Sequence, residues 1–323
     1  MAALQRKLLG GTGVEVTELG VGGYIGALTD DNASDAKRQD AAIAAVNRAI
    51  ELGVRYFDTS PAYGTAERYL GAALSTLAAD VRAQLTVSTK VGTHPDRPNA
   101  YGADDVRWCY ETSRELLGPI DVIFVHDPVE DVHVDEILQK GGAFDALEQI
   151  KAAGELRGFG LGVRTHRFLL RVIHSGRADV ILPSYDFHPI RQSLTPVLHR
   201  AAAAGVAVVN GSPYQAGLLA GIDLDEAATR RPPDDADLAR ARVIVSWCQD
   251  RGIDVGALAV QFSLREEKVA ATLVGPRTVE EVESGLRHAT QTLPEQVWSE
   301  LDELLENLQP PTARGGEDAE EQA

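Results

Sequence analysis

Four side chains of unlike chemistry stand at or just beyond the ends of three short apolar runs. Asp58 closes Arg55-Tyr56-Phe57-Asp58, and Tyr63 follows five residues later in Pro61-Ala62-Tyr63-Gly64. Lys90 closes Thr86-Val87-Ser88-Thr89-Lys90, and His126 closes Ile123-Phe124-Val125-His126. Each has a plain structural alternative: a helix-capping Asp, a packed or surface Tyr, a solvated strand-end Lys, a hydrogen-bonded structural His. Taken together they have a chemistry. Reducing a carbonyl requires a proton for its oxygen as hydride reaches its carbon. A free phenol, with a pKa near ~10, is a weak acid at neutral pH. A neighbouring ammonium favours the phenolate and lowers that value. A carboxylate would keep the ammonium charged and in place, and a neutral imidazole could orient the carbonyl oxygen by a hydrogen bond.

The elements that must position these groups recur along the chain. A helix is expected from Asp40 to Leu52, with Asp40 as N-cap and Ile43, Val46 and Ile50 on one face. Gly53 supplies a left-handed stop, and a strand begins at Tyr56-Phe57. The same punctuation appears at Gly118, Gly154, Gly176 and Gly205, followed by the apolar runs Val122–Val125, Phe159–Val163, Val180–Leu182 and Val206–Val209. With Leu19–Val21, Leu85–Val87 and Ala270–Val274 the count reaches eight strand–helix units. That predicts an α/β protein, a (β/α)8 TIM barrel whose active groups lie at the C-terminal ends of the strands. An open doubly wound sheet is the alternative. Lys7–Val16, with Gly10, Gly11 and Gly13, reads as an N-terminal hairpin able to plug the bottom of the barrel. Two helical stretches exceed the eight units, Val255–Leu264, which follows Ala236–Arg251, and Pro294–Leu308, and they read as inserted or closing helices. One domain is expected over 1–308, followed by an acidic, disordered tail over 309–323.

The 323 residues carry a net charge of −17, which opposes nucleic acid and anionic membranes as partners. No stretch has membrane-spanning length, and Met1–Leu9 lacks the apolar segment of a secretory signal. The two cysteines, Cys109 and Cys248, form no metal or redox motif. These features predict a cytoplasmic protein without a metal, as a monomer or small homo-oligomer, acting on a small molecule.

Gly53-Val54-Arg55-Tyr56-Phe57-Asp58-Thr59-Ser60-Pro61-Ala62-Tyr63-Gly64 and Ser88-Thr89-Lys90-Val91-Gly92 carry a resemblance to the aldo-keto reductases. It extends from about Leu8 to Leu308. The resemblance implies that Tyr63 is the general acid/base, that Lys90, paired with Asp58, lowers its pKa, and that His126 orients the substrate. It also implies a nicotinamide cofactor, NAD(P)(H), lying extended over the barrel mouth, with its phosphates on the stretch after the last strand. Here that stretch is Val274-Gly275-Pro276-Arg277-Thr278-Val279-Glu280-Glu281-Val282. Gly275, Pro276, Arg277, Thr278 and Glu281 are therefore expected cofactor residues, with Ser212 and Arg164 further along the mouth. Glu281 stands where NADP-dependent members commonly carry Arg, so the cofactor is expected to be NAD, although Arg277 could still hold a phosphate. Leu182 and Gly211 replace the family's amide-binding Gln and nicotinamide-stacking Tyr. Gly158-Phe159-Gly160-Leu161-Gly162 has the wrong spacing for a dinucleotide fingerprint and reads instead as close strand packing.

His126-Asp127-Pro128 resembles a branch of NAD(P)-linked sugar and pyridoxal dehydrogenases, among them the D-threo-aldose (L-fucose) enzymes, which implies a carbonyl, polyol or cyclic hemiacetal substrate. Tyr24, His94, Tyr101 and Tyr214 are the candidates for substrate contact, each with packing or solvent exposure as the alternative. Two other functions remain open. Lys90 could form a Schiff base in a lyase, against which Asp58 argues by holding it protonated. A cofactor-binding regulatory module without turnover is the other; with the hairpin beginning almost at once, nothing suggests an added N-terminal regulatory segment.

Overall fold

The structure is a computed structural model and describes residues 3–25, 33–230 and 233–308. Eight parallel strands close into a barrel in sequence order: Leu19–Val21, Tyr56–Asp58, Thr86–Val91, Val122–His126, Gly158–Gly162, Val180–Ile181, Ala207–Gly211 and Ala271–Val274. The fold is a (β/α)8 barrel and not an open sheet. The fifth strand pairs with the sixth, and the eighth returns to the first through Thr272 opposite Leu19. The expected tail, 309–323, lies outside the described residues.

Side-chain alternation along these strands sorts the core into two layers. Tyr56, Val122, Phe124, Val180 and Val209 point inward and pack together inside the barrel. Phe57, Val87, Val91, Ile123 and Val125 point outward against the helices. Burying each of the larger side chains contributes roughly 1.5–3 kcal/mol. The hairpin, Arg6–Leu8 paired with Glu15–Thr17, closes the bottom: Leu9, Val14 and Val16 join the interior cluster.

The glycine stops are where the pattern places them. Gly53 has φ +97°, and Gly118, Gly154, Gly176 and Gly205 all lie in the left-handed region. Gly160 has a different reason. A Cβ there would sit 1.6 Å from the carbonyl oxygen of Val180, so close strand packing accounts for the glycine-rich run.

Two expectations are corrected. The first helix begins at Asp35, not Asp40, because Ser34 caps it by accepting a hydrogen bond from the N–H of Lys37 at 3.2 Å. Val255–Leu264 is the regular crossover into the eighth strand, and the insertion is Leu224–Arg230 with Asp235–Asp250. That insertion, the crossover helix and the closing helix Gln296–Asn307 share an apolar cluster around Trp247, Leu258 and Trp298. A two-stranded turn, Thr93–His94 with Arg97–Pro98, follows the third strand.

Candidate active site

Alternation also decides what the barrel mouth contains. On the second strand the inward residues are Tyr56 and Asp58; on the third, Ser88 and Lys90; on the fourth, Val122, Phe124 and His126. Three polar groups, Asp58, Lys90 and His126, are therefore the last inward side chains of three adjacent strands.

Lys90 is buried and turns toward the second strand. Its Nζ donates to Asp58 Oδ2 at 2.6 Å and to the Thr59 carbonyl at 2.8 Å. Ser88 Oγ donates to the other carboxylate oxygen, Oδ1, at 2.6 Å. Burial opposes the charge on Lys90, but Asp58 and Tyr63 outweigh it and raise the ammonium's pKa. On the outer face of the same strand Thr89 Oγ1 donates to Glu67 Oε1 at 2.6 Å. This bond ties the helix Ala66–Ser75, and with it the preceding Tyr63 turn, to the strand that carries Lys90.

The Tyr63 turn is held by its own backbone, Tyr63 N–H donating to the Ser60 carbonyl at 3.0 Å. It places the phenol ring 4.7 Å from Lys90 Nζ and 5.8 Å, edge-on, from the His126 ring. Burial raises the Tyr63 pKa, and the opposing pull of Lys90 does not cancel it. Lys90 thus acts with the expected sign, but the net shift is upward, so the phenol of the protein alone is protonated at neutral pH.

His126 is neutral. Burial, followed by repulsion from Lys90, lowers its pKa to about 3. Nδ1 lies 2.7 Å from Thr93 Oγ1, and a threonine hydroxyl donating there leaves the ring proton on Nε2. Tyr24, about half exposed, stacks on Tyr63 with ring centroids 4.7 Å apart.

The other substrate candidates are placed differently. Tyr101 is fully buried against Gly92, and its hydroxyl donates to the His126 carbonyl at 3.0 Å. His94 packs edge-on against Trp108 and accepts the N–H of Asp96 at 3.1 Å. Tyr214 is bonded through its hydroxyl to His288 Nδ1 at 2.9 Å.

Across the mouth, Arg164 grips Asp186 with two bonds of 3.1 and 3.0 Å. Burial works against the charge of Asp186, but His166 and Arg164 hold its carboxyl below the usual range. Ser212 has φ +60°, in a loop where Gln215 and Ala216 are also left-handed. Non-glycine residues in this region cost about 1–3 kcal/mol each.

The wall between the first and eighth strands suits a dinucleotide. Gly22 N–H donates to Val274 O at 2.8 Å, and Gly23 and Gly275 bring nearly bare backbone together at the mouth. Thr278 caps the helix Val279–Thr290, whose N-terminus favours an anion. Arg277 adds charge, but it is clasped by Glu281: Nη2 to Oε1 is 2.5 Å, and the backbone N–H of Arg277 donates to Oε2 at 2.7 Å.

Sequence reasoning missed Ser88, Thr93, Glu67 and the Thr59 carbonyl. Ser88 carried a signal, since it lies two residues before Lys90 on one strand and so shares its face. Thr93 carried none, because its approach to His126 depends on how the turn after the third strand folds back. Among the described residues no group of three or more His, Cys, Asp or Glu side chains could hold a metal, and no helix is long and apolar enough to cross a membrane.

Comparison with known proteins bears on this geometry. The model of the Aldo/keto reductase family matches residues 19–306. Pyridoxal 4-dehydrogenase of Microbacterium luteolum is 28% identical over 342 residues, covering 93% of this chain and 97% of that protein. L-galactose dehydrogenase of Arabidopsis thaliana is 29% identical over 320 residues, covering 95% and 96%. D-threo-aldose 1-dehydrogenase of a Pseudomonas species is 28% identical over 317 residues, covering 87% and 92%.

Proposed function

The chain belongs to the aldo/keto reductase family of NAD(P)-dependent oxidoreductases, and on that premise we propose that it interconverts a sugar hemiacetal or related aldehyde with its oxidised or reduced partner, using Tyr63 as the proton donor and acceptor. The observation that carries this reading is the placement of the Tyr63 ring 4.7 Å from the Lys90 ammonium and edge-on to the neutral His126.

When bound, the nicotinamide supplies the hydride acceptor or donor. The chain's own groups manage the oxygen. His126 Nε2–H and the Tyr63 hydroxyl meet the oxygen on the reacting carbon. In the reducing direction the Tyr63 proton passes to that oxygen, and Lys90 stabilises the phenolate left behind. In the oxidising direction the phenolate takes the hydroxyl proton of the hemiacetal. Asp58, with Ser88 and the Thr59 carbonyl, keeps Lys90 charged and fixed. That protonation also argues against a Schiff-base lyase, since a paired ammonium is not a nucleophile.

The names of the three relatives denote oxidation of aldoses or of pyridoxal, which supports a cyclic hemiacetal or aldehyde as the substrate class. For the cofactor we favour NAD. Glu281 folds over the start of the helix and occupies both Arg277 and its backbone N–H, so a 2′-phosphate there would face a carboxylate. A ribose hydroxyl could instead donate to it.

The test is a turnover screen of aldoses, hydroxyaldehydes and pyridoxal-like compounds, with NAD and NADP, in both directions. Turnover of an aldose or aldehyde with NAD supports the reading. Tight cofactor binding with no turnover on the whole panel would support a regulatory module instead.

A further inference from the structure

Asp127 is a charged residue at the mouth to which the mechanism above gives no task. It directly follows His126, and its backbone is left-handed, with φ +42°, a conformation aspartate tolerates better than most residues. Two bonds pin this turn. Asp127 N–H donates to the Gly162 carbonyl at 2.9 Å, and the carbonyl of His126 accepts from the buried Tyr101 hydroxyl at 3.0 Å. A residue continuing the strand would send its side chain outward to the helices. The turn brings the carboxylate back beside the imidazole, with Oδ2 3.3 Å from His126 Nε2. The Asp127 side chain is 58% exposed, whereas His126 beside it is 9% exposed. Burial raises the pKa of the Asp127 carboxyl, and the facing Lys90 opposes that rise without cancelling it; the other groups facing it are the hydroxyls of Tyr63 and Tyr101, whose ionisation it opposes.

An ionised carboxylate is an acceptor without a proton to give. Next to the donors that hold the reacting oxygen it repels a second lone pair and welcomes a second hydroxyl. Oxygens on neighbouring carbons can be met by two protein groups held side by side, and Nε2 and Oδ2 are such a pair. We propose that Asp127 is a specificity-determining residue that accepts a hydrogen bond from the hydroxyl on the carbon adjacent to the reacting one, so that the site selects 2-hydroxyaldehydes and aldose hemiacetals over their deoxy analogues. This rests on the oxidoreductase reading above and narrows its substrate class. A site built to accept a substrate hydroxyl discriminates against the analogue lacking it, less strongly where, as at Asp127, the side chain is exposed and water can replace that hydroxyl. For a single charged acceptor the preference is about tenfold to a hundredfold in kcat/KM.

The experiment measures kcat/KM for two pairs: glyceraldehyde against 3-hydroxypropanal in reduction, and galactose against 2-deoxygalactose, both enantiomers, in oxidation. The protein is compared with Asp127→Asn and Asp127→Ala. Asparagine keeps the left-handed turn and the side-chain shape, so this variant carries the test if the alanine variant does not fold. The unmodified protein is expected to favour the hydroxylated member at least tenfold. Asp127→Asn should lower that ratio at least threefold, and Asp127→Ala should bring it near one. An unchanged ratio in the asparagine variant, or an equal fall on both members of each pair, overturns the assignment and leaves Asp127 a support for His126. No preference in the unmodified protein overturns it as well. No turnover of any of these compounds with either cofactor overturns the assignment, and the oxidoreductase reading beneath it falls only if the wider panel above shows none either.

Discussion

Lys90 Nζ lies 2.6 Å from Asp58 Oδ2, and the two side chains are 1% and 4% exposed. A buried pair of this kind is held by mutual need: removing one partner leaves an uncompensated charge and costs about 3–5 kcal/mol. Lys90→Met should therefore lower the melting temperature markedly as well as abolish turnover. Adding Asp58→Asn removes the stranded charge and should recover much of the stability but none of the activity. Thermal melts and kcat for the two variants and the unmodified protein separate the structural effect from the chemical one. Because the Lys90 pKa is raised on folding, its contribution is fully present below the ordinary lysine value near ~10.4. It is lost only as pH rises through the higher folded value, so this group stabilises the fold fully at neutral pH and adds no pH dependence there.

Tyr63→Phe removes the proton but keeps the ring that stacks on Tyr24. We expect kcat to fall by about 10²–10⁴-fold, with the dissociation constant for reduced cofactor within twofold of the original by fluorescence titration. The phenol pKa is raised by burial. Reduction, which needs the phenol, should therefore hold steady through neutral pH and decline only on the alkaline side, whereas oxidation, which needs the phenolate, should rise with pH.

His126 should show no protonation between pH 5 and 8. Burial and Lys90 lower its pKa to about 3, against an unfolded value near ~6.5. The folded value being the lower one, its contribution to stability is complete above the unfolded value and is lost as pH falls from there toward about 3. Nitrogen NMR of the imidazole should find the neutral form with its proton on Nε2 at pH 5. Thr93→Val should weaken that preference. A titration midpoint for His126 near 6 would contradict the assignment.

The Arg277–Glu281 clasp bears on cofactor choice. Glu281→Arg removes the carboxylate and adds a cation beside Arg277. The ratio of NADP to NAD affinity, read from dissociation constants, should shift toward NADP by at least tenfold. An unchanged ratio would place the discriminating contact elsewhere.

Gly160→Ala should cripple folding, since the added methyl would sit 1.6 Å from a strand carbonyl and cannot move aside. Soluble yield and thermal melts check this; a melting temperature within a degree of the original would show that the fifth and sixth strands can separate.

The barrel was legible because it is periodic. Glycine stops such as Gly53 and Gly205 and runs such as Val122–Val125 mark a short-range alternation that any window of the chain displays. Boundaries were less so: Asp40 and Ser34 are both good caps by residue type, and the turn that Ser34 caps is tied to the second helix by the Tyr69 hydroxyl donating to Asp35 at 2.8 Å. The Tyr63, Lys90, His126 and Asp58 constellation was readable because each residue adjoins a strand end, where the fold collects side chains. Tyr101 and Tyr214 lie in mouth loops too, but only the fold shows that one hydroxyl turns to the His126 backbone and the other to His288.

Residue types and their spacing along the chain determined the strand count, the inward face of each strand and the four groups at the mouth, because those follow from local periodicity. Tertiary structure alone decided the protonation states and the accessory contacts. Whether burial or Lys90 prevails at Tyr63, that Thr93 reaches His126, and that Asp127 turns back beside it all depend on groups distant in the chain meeting in a dry space, and electrostatic energy is set by that distance and burial, not by order along the chain.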